Sequence, residues 1–208
     1  MTIELECYYS LSSPWAYFAG PRLQDIVRRH GVRLLLKPYD FQAVVVKNGG
    51  IPIRTRPEPR RTYHDEELVR WGRHLGMPIH PQPKHYPRHA VGDPNWNKYA
   101  GWMVIAAQLQ GLDAFVLSHA LLRALWAEER DTSLPAERIA IADAHGYDGE
   151  ALQALEQSPA VLATYDTYSR EATERGVFGA PTFVLQGERF WGQDRLGFVD
   201  RALERLRG

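Results

Sequence analysis

The sequence contains one cysteine, Cys7, in 208 residues. An intramolecular disulfide is therefore excluded, and so is redox catalysis by a cysteine pair within the chain. Cys7 follows Ile3 and Leu5 in an alternating pattern that continues to Tyr9, which predicts the buried face of a β-strand. Because burial in apolar surroundings raises the pKa of a thiol, we expect Cys7 to be packed and inert; a reactive thiol is the alternative.

An excess of charge of either sign is also lacking. The chain has 25 basic and 25 acidic residues and a formal charge of zero, so no overall field favours nucleic acid or an anionic membrane. No apolar run approaches the ~20 residues of a membrane-spanning helix, and residues 1–6 show neither the basic nor the apolar part of a secretory signal. We therefore expect a cytoplasmic protein with no nucleic-acid or membrane partner.

The start of the chain predicts a β-α-β unit. An apolar alternation over residues 3–9 predicts the first strand, and an apolar run over residues 32–37 predicts the second. Between them, Ser13 followed by proline is typical of a helix start, because the hydroxyl caps the helix and proline needs no hydrogen-bond acceptor at the first position. This helix is expected to reach about His30, with Gly31 as its left-handed cap.

Helical spacing dominates the middle of the chain. From about residue 45 to residue 173 apolar residues recur at helical intervals, as in the stripe of Leu68, Trp71 and Leu75. The pattern then returns to strands at residues 181–185 and 189–191, joined by a short turn. A final amphipathic helix is expected from Asp194 to Arg207, with an apolar face made of Leu196, Val199, Leu203 and Leu206.

These elements predict an α/β fold. A β-α-β unit, a run of helices and a β-β-α unit is the order of a thioredoxin-like sheet that carries a large all-helical insertion. Residues 1–44 and 174–208 are assigned to a discontinuous thioredoxin-like domain, and residues 45–173 to the helical insertion domain. No internal repeat or low-complexity segment interrupts this order.

Two short segments carry the chemistry. Ser13-Pro14-Trp15-Ala16 follows the first strand, where thioredoxin-type proteins have Cys-X-X-Cys, and Gly179-Ala180-Pro181-Thr182 occupies the place of their cis-proline loop. Serine and alanine stand where both sulfurs would be, so what remains is a helix N-terminus suited to holding the thiolate of another molecule. A trans proline that opens an edge strand is the alternative reading of Pro181.

The chain resembles the 2-hydroxychromene-2-carboxylate isomerases, relatives of kappa-class glutathione transferases in the DsbA-like branch of the thioredoxin fold. The resemblance covers nearly the whole chain and rests on residues 11–17, 71, 76–78, 125–131, 176–182 and 191–196. It implies a glutathione-dependent cis–trans isomerisation of a small aromatic carboxylate in naphthalene-type catabolism, which interconverts 2-hydroxychromene-2-carboxylate and trans-o-hydroxybenzylidenepyruvate. It also implies a homodimer.

The resemblance further implies roles for individual residues. Ser13 would lie against the glutathione sulfur, and Ala180, before Pro181, would pair with the cysteinyl backbone. Gln193 and Asp194 would hold the γ-glutamyl end. A thiolate beside the Ser13 hydroxyl and the helix N-terminus would be stabilised by a dipole and a charge-assisted hydrogen bond. Simple helix capping remains the alternative for Ser13, and likewise for Asp194.

Three other groups of residues have ambiguous roles. Arg54, Arg56, Arg60 and Arg61 either bind substrate oxygens or form a solvated loop. Tyr86, Trp96 and Trp102 either wall a flat ligand or pack in the core. His80, His85 and His89 suggest zinc, but the prolines between them exclude a helix that would align them and no cysteine partner exists, so we expect no metal.

Two other functions remain open. A kappa-like glutathione transferase or peroxidase would use the same thiolate and consume it. A non-catalytic thioredoxin-fold binding protein would retain the fold without the chemistry. Because the chain has no phosphate loop, no dinucleotide fingerprint and no Gly-X-Ser-X-Gly segment, NTPase, Rossmann and hydrolase functions are disfavoured.

Overall fold

A computed structural model describes residues 2–86 and 92–206. Its sheet has four strands in the order β2-β1-β3-β4. β1 runs parallel to β2, with Glu4 opposite Arg33, and antiparallel to β3, with Cys7 opposite Phe183. β3 and β4 form an antiparallel hairpin. The strand bounds are Glu4–Tyr9 for β1, Arg33–Pro38 for β2, Thr182–Leu185 for β3 and Glu188–Trp191 for β4.

In the chain, one α-helix lies between β1 and β2 and one follows β4. The other α-helices of the described residues lie between β2 and β3. Short 3-10 turns occur at Ile53–Thr55 and Gln193–Arg195. The α-helices of the described residues are α1 Pro14–His30, α2 Phe41–Lys47, α3 Glu58–Leu75, α4 Tyr99–Leu109, α5 Ala114–Ala127, α6 Pro135–Ala144, α7 Gly149–Leu155, α8 Pro159–Glu174 and α9 Leu196–Arg205. The predicted thioredoxin-like sheet with a helical insertion is confirmed.

The sheet is buried on both faces. Leu5, Cys7 and Tyr9 point into a large apolar cluster that also contains Phe183 and Trp126, so one face packs against helices of the insertion. The opposite face, whose strand residues include Tyr8 and Val184, packs in a second cluster with Val45 and Ala172 of α2 and α8. The predicted burial of Cys7 is confirmed, since only 3% of the residue is exposed.

A partly buried ion cluster joins the sheet to the insertion. The Lys37 ammonium on β2 lies 2.6 Å from a carboxylate oxygen of Glu6 on β1 and 2.6 Å from one of Glu171 on α8. These two carboxylates raise the pKa of Lys37 against the opposing effect of burial. Three elements distant in the sequence therefore share one charged group.

The structure corrects two predicted boundaries and one residue predicted to be on a buried face. Helical structure begins at Phe41 and not near residue 45, because the Asp40 carboxylate caps α2 by accepting from the Ala43 N–H at 3.1 Å. The last helix begins at Leu196 and not at Asp194, because a 3-10 turn precedes it. Leu206 follows the end of α9 and is 40% exposed, so it does not belong to the buried face.

The predicted end of this helix at Arg207 lies outside the described residues. The division into residues 1–44 with 174–208 and residues 45–173 stays a prediction, and buried residues of both parts share the large cluster. Within the described residues, no helix combines the length and the apolar character needed to cross a bilayer.

Candidate functional site

Ser13 lies at the junction of α1 and the loop before β3. Its Oγ accepts a hydrogen bond from the Ala16 N–H at 3.3 Å, as an N-cap does, and donates one to the Ala180 carbonyl at 3.1 Å. Pro14 occupies the first turn of α1, and Gly31 ends the helix in the left-handed conformation with φ 56°. The predicted cap is confirmed, and the same hydroxyl reaches the second predicted segment 167 residues away.

The peptide bond between Ala180 and Pro181 is cis, as predicted. The carbonyl of Gly179 accepts hydrogen bonds from the Tyr39 and Thr182 hydroxyls at 3.2 and 2.8 Å, which anchors this loop. The Ala180 N–H forms no hydrogen bond with any part of the chain that the structure describes. Buried N–H groups are almost always hydrogen-bonded. The Ala180 N–H is therefore an unused donor that is available to an acceptor on a ligand.

Two adjoining cavities meet at Ala180. The first, which we call the Ser13 cavity, has a volume of about 170 Å³ and is lined by residues that include Ser13, Ala180, Trp15 and Trp191. The second, the Asp194 cavity, has a volume of about 230 Å³, shares three of those residues and adds Asp194. Because they share these residues, the two cavities lie next to each other at the N-terminus of α1; we call the pair the crevice, and its size is in the range of small-molecule sites.

Gln193 and Asp194 both line the Asp194 cavity, beside the loop that carries Pro181. The Gly192 N–H donates to the Pro181 carbonyl at 2.9 Å, which brings the two segments together. Gln193 is almost fully buried, and its side-chain oxygen accepts a hydrogen bond from the Arg22 guanidinium on α1. Desolvation by burial lowers the pKa of Arg22, while Asp194 opposes that shift.

Asp194 does not cap the final helix. Neither the 3-10 turn at Gln193–Arg195 nor α9 has a side-chain cap hydrogen bond, so the alternative reading of Asp194 is not supported. The Asp194 carboxylate is 42% exposed and lies 3.5 Å from the Arg195 guanidinium. It is therefore placed to accept a cationic group from a ligand.

The arginine cluster divides into two pairs. Arg56 and Arg60 line the Ser13 cavity, whereas Arg54 and Arg61 are not among its lining residues. The Arg56 Nε donates to the Ile51 carbonyl at 2.8 Å. Burial lowers the pKa of Arg56, and the charge of Arg60 lowers it further. The Arg54 guanidinium instead donates to the Gln42 side chain at 2.6 Å.

One of the three candidate aromatic residues lines the site. Tyr86 lies in the wall of the Ser13 cavity, with its ring 5.6 Å from that of Trp96. Trp96 is not among the lining residues, and Trp102 is buried in the large apolar cluster. The predicted aromatic-wall role is therefore open for Tyr86 only, and core packing explains Trp102.

The sequence patterns did not identify His64 as a site residue and indicated no role for Trp15 or Trp191. His64 lies in the wall of the Ser13 cavity, and its ring meets that of Trp15 edge to face at 5.5 Å. A signal for His64 existed: it stands four residues after Arg60 on α3, so both side chains fall on one helix face. No periodic signal distinguishes Trp191, which is half exposed and packs against Phe178.

His80 and His85, the histidines of the proline-rich segment that the structure describes, line neither cavity of the crevice. His80 is exposed, and the His85 ring lies 3.4 Å from the Asp131 carboxylate. His89 lies outside the described residues. Among the residues that the structure describes, no group of three or more histidine, cysteine or acidic side chains is arranged to hold a metal ion.

Fold and site together define a thioredoxin-fold protein without its cysteine pair. A family model described as the DSBA-like thioredoxin domain matches residues 4–204, and the chain belongs to this family. Among curated proteins, it is similar to 2-hydroxychromene-2-carboxylate isomerases of Sphingobium xenophagum and Pseudomonas putida. These are 28% and 26% identical to it, over 98% and 97% of this chain and 99% and 95% of the relatives.

Solved structures agree with this assignment. A 2-hydroxychromene-2-carboxylate isomerase superposes with a TM-score of 0.79 at 26% identity, over 98% of this chain and 96% of the other. A probable DsbA oxidoreductase from Streptomyces coelicolor has a TM-score of 0.74 at 19% identity, over 98% and 89% of the two chains, and shows the shared fold. The family resemblance inferred from the sequence is confirmed.

Proposed function

We propose that this chain is a glutathione-dependent isomerase that interconverts 2-hydroxychromene-2-carboxylate and trans-o-hydroxybenzylidenepyruvate. The observation that carries the proposal is the crevice itself, in which the Ser13 hydroxyl and the Ala180 backbone lie between an acidic end and an arginine-bearing end. The activity named for the curated relatives supports it, since each aligns with nearly the whole chain.

The donors and acceptors of the Asp194 cavity fit glutathione. The exposed Asp194 carboxylate suits the γ-glutamyl ammonium, and the unpaired Ala180 N–H suits a carbonyl of a peptide-like ligand. Gln193 is held by Arg22, so this side chain is positioned before a ligand binds. Pro181 places Ala180 at the point shared by both cavities.

Ser13 would act as a hydrogen-bond donor and not as a nucleophile. Its hydroxyl now donates to the Ala180 carbonyl, and donation to a ligand anion would replace that bond and free the carbonyl to accept from the ligand. With the positive end of the α1 dipole, such donation stabilises an anion by about 2 kcal/mol. Glutathione would supply a thiolate that adds to a conjugated double bond, permits rotation about it and leaves unchanged.

Cys7 does not compete for this role. It is buried on β1, and burial raises the pKa of its thiol well above the usual range. No second cysteine exists for a dithiol reaction. Thiolate chemistry at this site would therefore use the sulfur of a bound molecule.

The test compares Ser13→Ala with Ser158→Ala. Both serines are N-caps followed by proline, so each substitution is expected to cost about 1 kcal/mol of unfolding free energy. Ser158 lies outside the crevice. Ser13→Ala should also reduce glutathione-dependent isomerisation, followed by ultraviolet absorbance, by at least tenfold, whereas Ser158→Ala should retain it. Equal activity in both variants would mean that Ser13 serves only as a helix cap.

The same assay separates the alternative functions. An isomerase leaves the glutathione concentration constant during turnover, whereas a transferase or peroxidase depletes it. Calorimetry that detects no glutathione binding by the wild-type protein would favour a non-catalytic binding protein. Sedimentation of the purified chain tests the proposed homodimer.

A further inference from the structure

The wall of the Ser13 cavity carries two arginines and no acidic side chain. Arg56 and Arg60 contribute the positive groups, and the rest of the lining is hydroxyl, backbone, histidine or apolar. Neither guanidinium forms an ion pair with a carboxylate within residues 2–86 and 92–206. Several other arginines of the described residues pair with carboxylates, as Arg130 does with Glu137 at 2.6 Å.

The position of Arg56 is set before any ligand binds. Its Nε donates to the Ile51 carbonyl, which leaves the two terminal nitrogens for another acceptor. Arg60 follows on the first turn of α3 and is exposed at the rim. The Arg56 guanidinium is thus positioned by a backbone carbonyl. The Arg60 guanidinium is exposed, where a ligand would enter the cavity.

Two like charges beside a half-buried cavity are unfavourable without an anion. Burial and, after it, the charge of Arg60 lower the pKa of Arg56, while Tyr86 opposes the shift. A carboxylate accepts two parallel hydrogen bonds from a guanidinium and would remove this repulsion. The arrangement is therefore more favourable with an anion bound than without one.

Five of the remaining lining residues are aromatic. Trp15, Phe41, Tyr86, Phe178 and Trp191 surround the cavity, and flat rings favour a flat ligand. Ser13 lies in the same cavity as the two arginines. One end of a flat molecule would therefore meet the guanidinium groups while its conjugated part lies at the α1 N-terminus.

We propose that Arg56 and Arg60 form a carboxylate-binding subsite that selects planar aromatic acids for the reaction at Ser13. Arg56 is the main contact, and Arg60 attracts the anion at the rim. This inference rests on the proposed function for the identity of the reacting ligand, but the subsite itself binds an aromatic carboxylate whether or not a reaction follows.

The experiment measures binding of cinnamate and its uncharged methyl ester by calorimetry, with and without glutathione. Wild-type protein should bind the acid at least tenfold more tightly than the ester. Arg56→Gln should abolish this preference, and Arg60→Gln should reduce it severalfold and weaken its dependence on salt. Arg61→Gln removes an arginine from the same segment that does not line the cavity and should preserve the preference.

Circular dichroism melting of each variant checks folding. Because Arg60 is exposed, Arg60→Gln remains informative if Arg56→Gln does not fold. An unchanged acid-to-ester preference in a folded Arg56→Gln or Arg60→Gln protein overturns the inference. Arginine-dependent cinnamate binding without glutathione binding would support the subsite and contradict the proposed function. Full isomerase activity with an unaltered KM in Arg56→Gln would contradict the subsite and support the proposed function.

Discussion

At the residue scale, the candidate site depends on small groups in confined places. Gly179 precedes the pair of Ala180 and Pro181, and a Cβ at this position would come within 2.1 Å of the Trp191 ring nitrogen. Trp191 forms part of both cavity walls. The absence of a side chain at Gly179 therefore determines where that indole ring lies.

Gly179→Ala should displace the Trp191 ring and weaken glutathione binding by about tenfold, or about 1.4 kcal/mol. Because Trp191 is half exposed, the ring can move at modest expense, and we expect a stability loss of about 1–3 kcal/mol. Calorimetry and tryptophan fluorescence measure the two effects. Gly92→Ala, where a Cβ meets open space, is the control; identical glutathione affinity in both variants would contradict this account.

At the scale of the elements, a buried ion pair holds part of the insertion together. Arg138 on α6 donates to both carboxylate oxygens of Glu156, which follows α7, at 2.9 and 2.5 Å. A third guanidinium nitrogen donates to the Thr132 carbonyl at 2.9 Å, and the group lies 5.0 Å from the Tyr99 ring. Both charged residues are at least 99% buried, so each depends on the other.

Glu156→Gln should destabilise the protein by about 3–5 kcal/mol, because it leaves the Arg138 charge buried without its partner. The double substitution Arg138→Met with Glu156→Leu removes both charges and should cost much less. Urea unfolding of the single and double variants measures the coupling between them. A double variant as unstable as Glu156→Gln would show that packing volume, and not charge, is what the pair supplies.

At the scale of the whole molecule, one histidine connects the first helix to the insertion. His119 on α5 stacks on Tyr17 of α1, with ring centroids 5.5 Å apart. A Cβ at Gly20 would lie 2.3 Å from its Nδ1, so glycine permits this contact. That Nδ1 is buried without a hydrogen-bond partner among the described residues. Burial and, to a lesser degree, Arg123 lower the pKa of His119 to about 4.

Stability should therefore fall as the pH decreases. The unfolded chain, in which histidine has a pKa near 6.5, binds more protons than the folded chain between pH 6.5 and 4, and acid therefore favours unfolding. We expect a loss of roughly 2–3 kcal/mol over this range from His119. Urea unfolding as a function of pH should show this loss in wild type but not in His119→Leu.

His74→Gln, which removes an exposed histidine, serves as the control and should follow the wild-type curve. Parallel pH profiles for wild type and His119→Leu would contradict the assignment. The stacking contact itself predicts a second effect of the leucine variant, a lower stability at neutral pH, where no proton is involved.

Much of the frame follows from short-range patterns in the sequence. The alternation through Cys7, the Ser-Pro start of α1 and the left-handed Gly31 each depend on a few neighbouring residues, because strand periodicity, helix caps and positive φ are local properties. Pro181 was identified from its place in the thioredoxin-type frame, and the role expected for Ala180 came from the family resemblance. These features made the family and the centre of the crevice predictable.

Tertiary structure alone decided which side chains face that crevice. Arg56 and Arg60 line it while Arg54 and Arg61 do not, because the direction of a side chain depends on how the chain around α3 packs, and α3 packs against α1. Gln193 is buried against Arg22, 171 residues earlier, which no local pattern records. Packing between distant elements, and not the spacing of residues, set the charge and shape of the site.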